Sequence, residues 1–78
     1  MYIEVRLYAT LRRYYPSWIA GVSSVEVQAD SRVSDLLNTM KIDMAEVHII
    51  MINGVSSTLD SALQVGDRVG LFPAVGGG

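Results

Sequence analysis

Ile3, Val5 and Leu7 alternate with Glu4 and Arg6, which predicts a half-buried strand over residues 2–8. Leu11 and Tyr14 stand at helical spacing in a short segment, 10–15, that Pro16 ends. Residues 17–21 read as a loop. Val25 and Val27 alternate with Ser24, Glu26 and Gln28, predicting a second strand over 22–29. A hairpin of these two strands is open to the chain, with a connection longer than hairpins commonly use.

Val33, Leu36, Leu37 and Met40 then fall at i, i+3, i+4 and i+7, the apolar stripe of one amphipathic helix. Asp30 and Ser31 are residue types that cap helix N-termini, and Asp35 and Lys41 suit the helix dipole at its two ends. Residues 42–46 fit either a fraying last turn or a loop. Val47 to Ile52 is rich in β-branched residues with apolar side chains at both parities, which predicts a central strand covered by the helix on one face. Asn53-Gly54 is a strong turn signal. Residues 56–63 are mostly small and polar, with room for one short strand. Gly66-Asp67 leads into a last strand over 68–72, which Pro73 is expected to break. The order strand, strand, helix, strand, optional short strand, strand gives an α+β domain: a mixed four- to five-stranded sheet with one main helix packed on one face.

Composition narrows the chemistry. The 78 residues carry no cysteine, which excludes disulfides, thiolate catalysis and Cys-based metal sites. A single histidine, His48, offers little for metal binding or acid–base work; in a strand and without a nucleophile motif it reads as solvated or edge-packed. Six basic and eight acidic residues give a net charge of −2 and no electrostatic footprint for nucleic acid. Arg12-Arg13-Tyr14-Tyr15 therefore reads as a polar turn whose tyrosines pack on the sheet edge. The charged, strand-like start is unlike a signal peptide, and the apolar run at 49–52 is too short to span a bilayer. No membrane contact and a cytoplasmic location are the expectation. Met40, Met44 and Met51 read as gap-fillers in the core or an interface, and no metal site is expected.

Seven glycines are present, and Gly76, Gly77 and Gly78 are consecutive. Side-chain-free residues do nothing evident for packing. They are either a frayed end or a flexible tail, 74–78, that leaves a 1–73 domain; from Pro73 to Gly78 the extended chain reaches roughly 20 Å. A tail of that shape suits threading a carboxylate into a narrow tunnel of another protein.

Leu63-Gln64-Val65-Gly66-Asp67-Arg68-Val69, followed by Leu71-Phe72-Pro73-Ala74-Val75-Gly76-Gly77-Gly78, resembles the end of the MoaD/ThiS sulfur carriers. Val5-Arg6-Leu7-Tyr8-Ala9 with Leu11-Arg12 is similar to that family's opening strand and turn. Residues 33–37 are similar to its helix, and 50–54 to its Val-x-Val-Asn-Gly strand end. Ala74 replaces a second proline, Gly76 replaces a common Ser or Ala, and Arg32 stands where a capping Thr is frequent, which leaves Ser31 or Asp30 to cap.

The resemblance implies a β-grasp, ubiquitin-like fold, closest to the MoaD-type small subunit of molybdopterin synthase. It implies that the Gly78 carboxylate is adenylated by a MoeB/ThiF-like activating enzyme using ATP and then converted to a thiocarboxylate. The chain itself would bind no cofactor. Its sulfur acceptor would be a MoaE-like large subunit, or a thiazole or tRNA pathway, and catalytic side chains would belong to that partner. A ubiquitin-like modifier joined through Gly78 to target lysines, and a non-covalent interaction module, stay open beside it. For the body, Arg68, Phe72, Pro73 and Val75 are the candidate docking residues. Phe72 shares parity with Arg68 and Gly70, so it is either an exposed aromatic beside the tail or the closure of the core.

Overall fold

A computed structural model describes residues 1–74. Alternation holds along β1 (Tyr2–Leu7), where Ile3, Val5 and Leu7 are fully buried and Arg6 is exposed. β2 (Val22–Glu26) pairs antiparallel with β1, as a long-looped hairpin permits. The connection is not slack. It folds into two 3₁₀ turns, Ala9–Tyr14 and Ile19–Gly21, and the first buries Leu11. β2 stops at Glu26, short of the 22–29 expected, while Val27 just beyond it is still buried.

β3 (Val47–Ile52) and β4 (Val55–Ser57) form a tight hairpin through Asn53 and Gly54, both at positive φ, 51° and 81°. That is the backbone a two-residue turn needs to match strand twist. β5 (Arg68–Pro73) runs parallel to β1 and antiparallel to β3, so the five strands lie in the order β2-β1-β5-β3-β4. β3 lies between β5 and β4, an interior strand as expected, and β5 is the middle of the five. One expectation is corrected here: Pro73 does not break β5 but ends it, still opposite Val47; a proline at a strand end forfeits only one ladder donor.

One helix, α1 (Val33–Met40), presents Val33, Leu36, Leu37 and Met40 to the same core as Ile3, Val5, Leu7, Ile50, Val69 and Leu71. Each fully buried aliphatic side chain is worth about 1.5–3 kcal/mol. A surface ion pair such as Arg6–Glu4 at 3.6 Å contributes at most about 1 kcal/mol. Helix-on-sheet burial therefore sets the architecture.

The ends of α1 depart from expectation in an instructive way. Neither Asp30 nor Ser31 caps it. Arg32 is the N-cap residue, and its backbone N–H donates to Asp35 Oδ2 at 2.9 Å. The next two N–H groups, of Val33 and Ser34, donate to the carbonyls of Ser61 and Leu59 at 3.0 and 2.9 Å. A loop distant in sequence thus does the work a local cap does elsewhere. Ser31 is buried instead, its carbonyl accepting from Leu63 N–H. At the other end Lys41 adopts left-handed geometry (φ 58°, ψ 39°). Lys41 N–H donates to Asn38 O and Ile42 N–H to Leu37 O. This is a Schellman closure with Leu37 and Ile42 both in the core, and Met44–Glu46 follows as a 3₁₀ turn. The ambiguous stretch 42–46 is therefore neither a frayed helix nor an open loop.

The tyrosines of the first 3₁₀ turn pack toward the end of α1, not the sheet edge. Tyr15 donates to Met40 O at 2.8 Å and stacks on Trp18. Tyr14 donates to Glu46 Oε2, while Arg13 bonds Glu46 Oε1. Hydrogen bonds from Tyr14 and then Arg13 hold the Glu46 carboxyl below a glutamate's ordinary 4.5. The same contact with Glu46 raises Tyr14 above a tyrosine's ordinary 10.0. Among the described residues, no helix is long and apolar enough to cross a membrane.

Two outcomes are expected. Gly21 has φ +72°, and a Cβ there would meet Leu7 O at 2.5 Å. Gly21→Ala should therefore lose about 2 kcal/mol or more in urea unfolding, and a loss under ~0.5 kcal/mol would contradict the close approach. For Glu46, a depressed carboxyl stabilises the fold above its unfolded value, and that contribution disappears as pH falls through the lower folded value. Glu46→Gln should flatten this acid limb of a stability–pH curve, and high salt should shrink the difference. Superimposable acid limbs at low salt would contradict it.

Candidate functional site

β5 has two faces because successive side chains alternate. Val69 and Leu71 point into the core, while Arg68, Gly70 and Phe72 lie on the sheet face that carries no helix. On that face Glu4, Arg6 and Tyr8 come from β1 and the residue following it, and Met51 from β3. Together with Asn53 and Gly54 they line a shallow groove of about 380 Å³. Arg6 and Arg68 give it positive charge beside Glu4, which lies 3.6 Å from Arg6.

The two readings of Phe72 separate here. Its ring does not join the core. It stacks on Tyr8 with centroids 4.1 Å apart and planes 8° from parallel. The pair covers Gly70, where a Cβ would meet a carbon of each ring at 3.4 Å. A strand glycine without a side chain to pack is thus covered by neighbouring aromatics. Phe72 ends half-buried, with an aromatic surface left on the open face.

Backbone contacts fix the place where the chain leaves the sheet. Tyr8 N–H donates to Leu71 O at 3.1 Å. Across β5, Phe72 sits opposite Ile49 and Pro73 opposite Val47, so a bulge at His48 bends the neighbouring strand. Ile49 is 41% exposed beside this exit. His48 is exposed as well. Among the described residues, no group of three or more His, Asp or Glu side chains is placed to hold a metal ion.

The structure brings Arg68 and Phe72 together on one face, with Pro73 at the end of the same strand. Of the remaining candidates, Val75, Gly76, Gly77 and Gly78 lie outside the described residues. Reasoning from sequence sets Arg68, Gly70 and Phe72 on one face but misses the stack with Tyr8, and it misses Met51, Asn53 and Gly54 as walls of the groove. The parity of β5 was available from its alternation. The parallel pairing with β1 that brings Tyr8 over Gly70 was not, because no local pattern encodes it.

Three solved structures share this fold along nearly the whole chain. The HVO 2177 protein of Haloferax volcanii is 27% identical with a TM-score of 0.79, over 100% of this chain and 87% of that one. A protein from Pyrococcus furiosus described as subunit 1 of a molybdopterin converting factor is 26% identical, TM-score 0.75, over 95% and 98%. SAMP1 from Haloferax volcanii is 25% identical, TM-score 0.75, over 100% of both chains. No curated protein sequence matches the chain. Residues 5–78 match the family model described as the ThiS family, and with the β-grasp sheet around β5 in place the chain belongs to the ThiS family of ubiquitin-like sulfur carriers.

Proposed function

We propose that the chain carries sulfur on the carboxylate of Gly78 and donates it in molybdopterin formation. The observation that supports this most is the extent of the family match, which runs through Gly76, Gly77 and Gly78. The described body contributes an ordered departure at Pro73 and an aromatic, positively charged face beside it.

The chemistry follows from the carboxylate. With a reference pKa near 3.5 it is ionised and a poor electrophile at neutral pH. A MoeB/ThiF-like enzyme would let its oxygen attack the α-phosphorus of ATP, with pyrophosphate leaving. A persulfide sulfur would then displace AMP, which departs with one carboxyl oxygen, and reduction of the acyl disulfide by a donor thiol frees the thiocarboxylate. ATP is the activating enzyme's substrate and needs no site on this chain. A MoaE-like large subunit would receive the tail and supply the catalytic side chains. The relative described as subunit 1 of a molybdopterin converting factor supports this choice of acceptor over a thiazole or tRNA pathway. The absence of cysteine leaves no thiol in the chain to attack its own activated end.

A second reading has a specific observation behind it: SAMP1, at 25% identity over the full length of both chains, belongs by name to the small archaeal modifier proteins. There the activated Gly78 would pass to a lysine amine as an isopeptide.

Removing Gly77 and Gly78 should abolish both activities while leaving the urea midpoint unchanged; activity surviving the truncation would overturn both. Mass spectrometry of protein from its native cells separates them. Replacement of one terminal oxygen by sulfur supports the carrier, and Gly-Gly remnants on lysines of other proteins support the modifier.

Docking is tested through Phe72. Phe72→Ala should cost about 1–2 kcal/mol of stability, the worth of the lost ring stack and its burial. It should weaken binding to the activating enzyme roughly tenfold or more. Unchanged affinity in a folded variant, or loss of the fold itself, would remove Phe72 from the docking surface.

A further inference from the structure

The Asn53-Gly54 turn carries a reactive pair. An asparagine followed by glycine can cyclise, because the glycine amide nitrogen is unhindered and can attack the asparagine side-chain carbonyl. Nothing beyond its chain neighbours crowds Gly54: no other atom lies within 4 Å of the place a Cβ would occupy. Both residues are exposed, so base and water have access.

The geometry holds the electrophile still. Asn53 Oδ1 accepts from Arg68 N–H at 2.9 Å, and Asn53 Nδ2 donates to Asp67 Oδ1 at 2.9 Å. Asn53 N–H also donates to Arg68 O at 2.8 Å. Asp67 is fixed in turn, its Oδ2 accepting from Gln64 N–H at 2.8 Å, while its own N–H donates to Gln64 O. Both the oxygen and the nitrogen of the side-chain amide, which the attack must reorient, are thus each held by one hydrogen bond at the approach of β5. Asparagine tolerates the left-handed φ of 51° it holds here, so the turn itself exerts little strain toward release.

We propose that Asn53 is a latent deamidation site, locked by Asp67 and the Arg68 backbone and reactive when this knot opens. In the step, the Gly54 amide gives its proton to base and its nitrogen bonds Asn53 Cγ. The Cγ–Nδ2 bond breaks, ammonia leaves, and a cyclic imide closes. Water then opens the imide at either carbonyl, leaving aspartate or isoaspartate at position 53. No oxidant or reductant enters.

The consequences are structural. An aspartate in this place puts a second carboxylate where Asp67 now accepts a hydrogen bond, and like charges at that distance repel. An isoaspartate lengthens the backbone inside a two-residue turn and disturbs the Ile52–Val55 pairing. Either product adds negative charge in the open-face groove next to Arg68.

The test is peptide mapping of residue 53 after incubation of the full chain in mildly alkaline buffer. Three samples are compared: native protein, the same protein in unfolding urea, and Asp67→Ala with its fold checked by circular dichroism. Native protein should convert roughly tenfold or more slowly than unfolded chain, and folded Asp67→Ala should recover much of that difference. Should Asp67→Ala fail to fold, native protein in sub-denaturing urea replaces it. Conversion should then rise in step with hydrogen exchange at the Arg68 amide, the donor to Asn53. Equal rates in native and unfolded protein would overturn the proposal. So would a folded Asp67→Ala that converts no faster than wild type, or conversion that ignores the Arg68 amide.

Discussion

The parallel pairing of β1 with β5 is the constraint on which the rest depends. Glu4 through Leu7 meet Arg68 through Leu71, strands from opposite ends of the chain. Closing so long a loop costs only slightly more entropy than closing a shorter one, and burying Val5, Leu7, Val69 and Leu71 against α1 more than offsets that increment. With β5 enclosed by β1 and β3, its parity decides both faces at once. A slip of one residue would send Phe72 and Arg68 into the core and Val69 and Leu71 into water. Core and groove are two readings of a single register.

The two ends of β5 are held by different means. At its start Asn53, Asp67 and Gln64 form a hydrogen-bonded knot, and Glu4 N–H donates to Asp67 O at 2.9 Å to tie β1 into it. At its finish the constraint is aromatic and steric: Tyr8 stacks on Phe72, and the bulge at His48 lets Pro73 stay opposite Val47. A polar knot is specific in geometry but needs each partner present. A ring stack tolerates small shifts, which would suit the end next to the proposed docking surface.

Much of this was legible in the sequence wherever the signal was periodic. Ile3-Val5-Leu7 and Val33-Leu36-Leu37-Met40 each state their element and buried face. Asn53-Gly54 states its turn. What escaped was fixed by contacts distant in the chain. Arg32 can occupy the N-cap because carbonyls of Leu59 and Ser61 satisfy the helix N–H groups, so the local preference for Asp30 or Ser31 is overruled. Lys41 takes a position that glycine normally fills because burial of Leu37 and Ile42 compensates the left-handed backbone. Strand order escaped for the same reason: β-branched residues mark 47–52 as enclosed, yet only the pairing of chain ends makes β5 the middle. The groove shares that fate, since Met51, Asn53 and Tyr8 gather on it through register and not through any motif.

The same logic bears on how a small domain can take part in chemistry with so few reactive side chains. Phe72, half-buried on the open face, and Pro73, the last residue of β5, are adjacent on one strand. On the proposed reading, a partner gripping the Tyr8–Phe72 face also fixes the origin of the four residues beyond Ala74, whose extended reach is about 13–14 Å. Docking then places the carboxylate within a restricted volume before any contact with the tail itself, and the cost of positioning is borne by the rigid sheet. Glycine, with no side chain, suits such a tail, since narrowness and reach are the properties it needs. On that reading the sheet would supply position, and the partner the reacting groups.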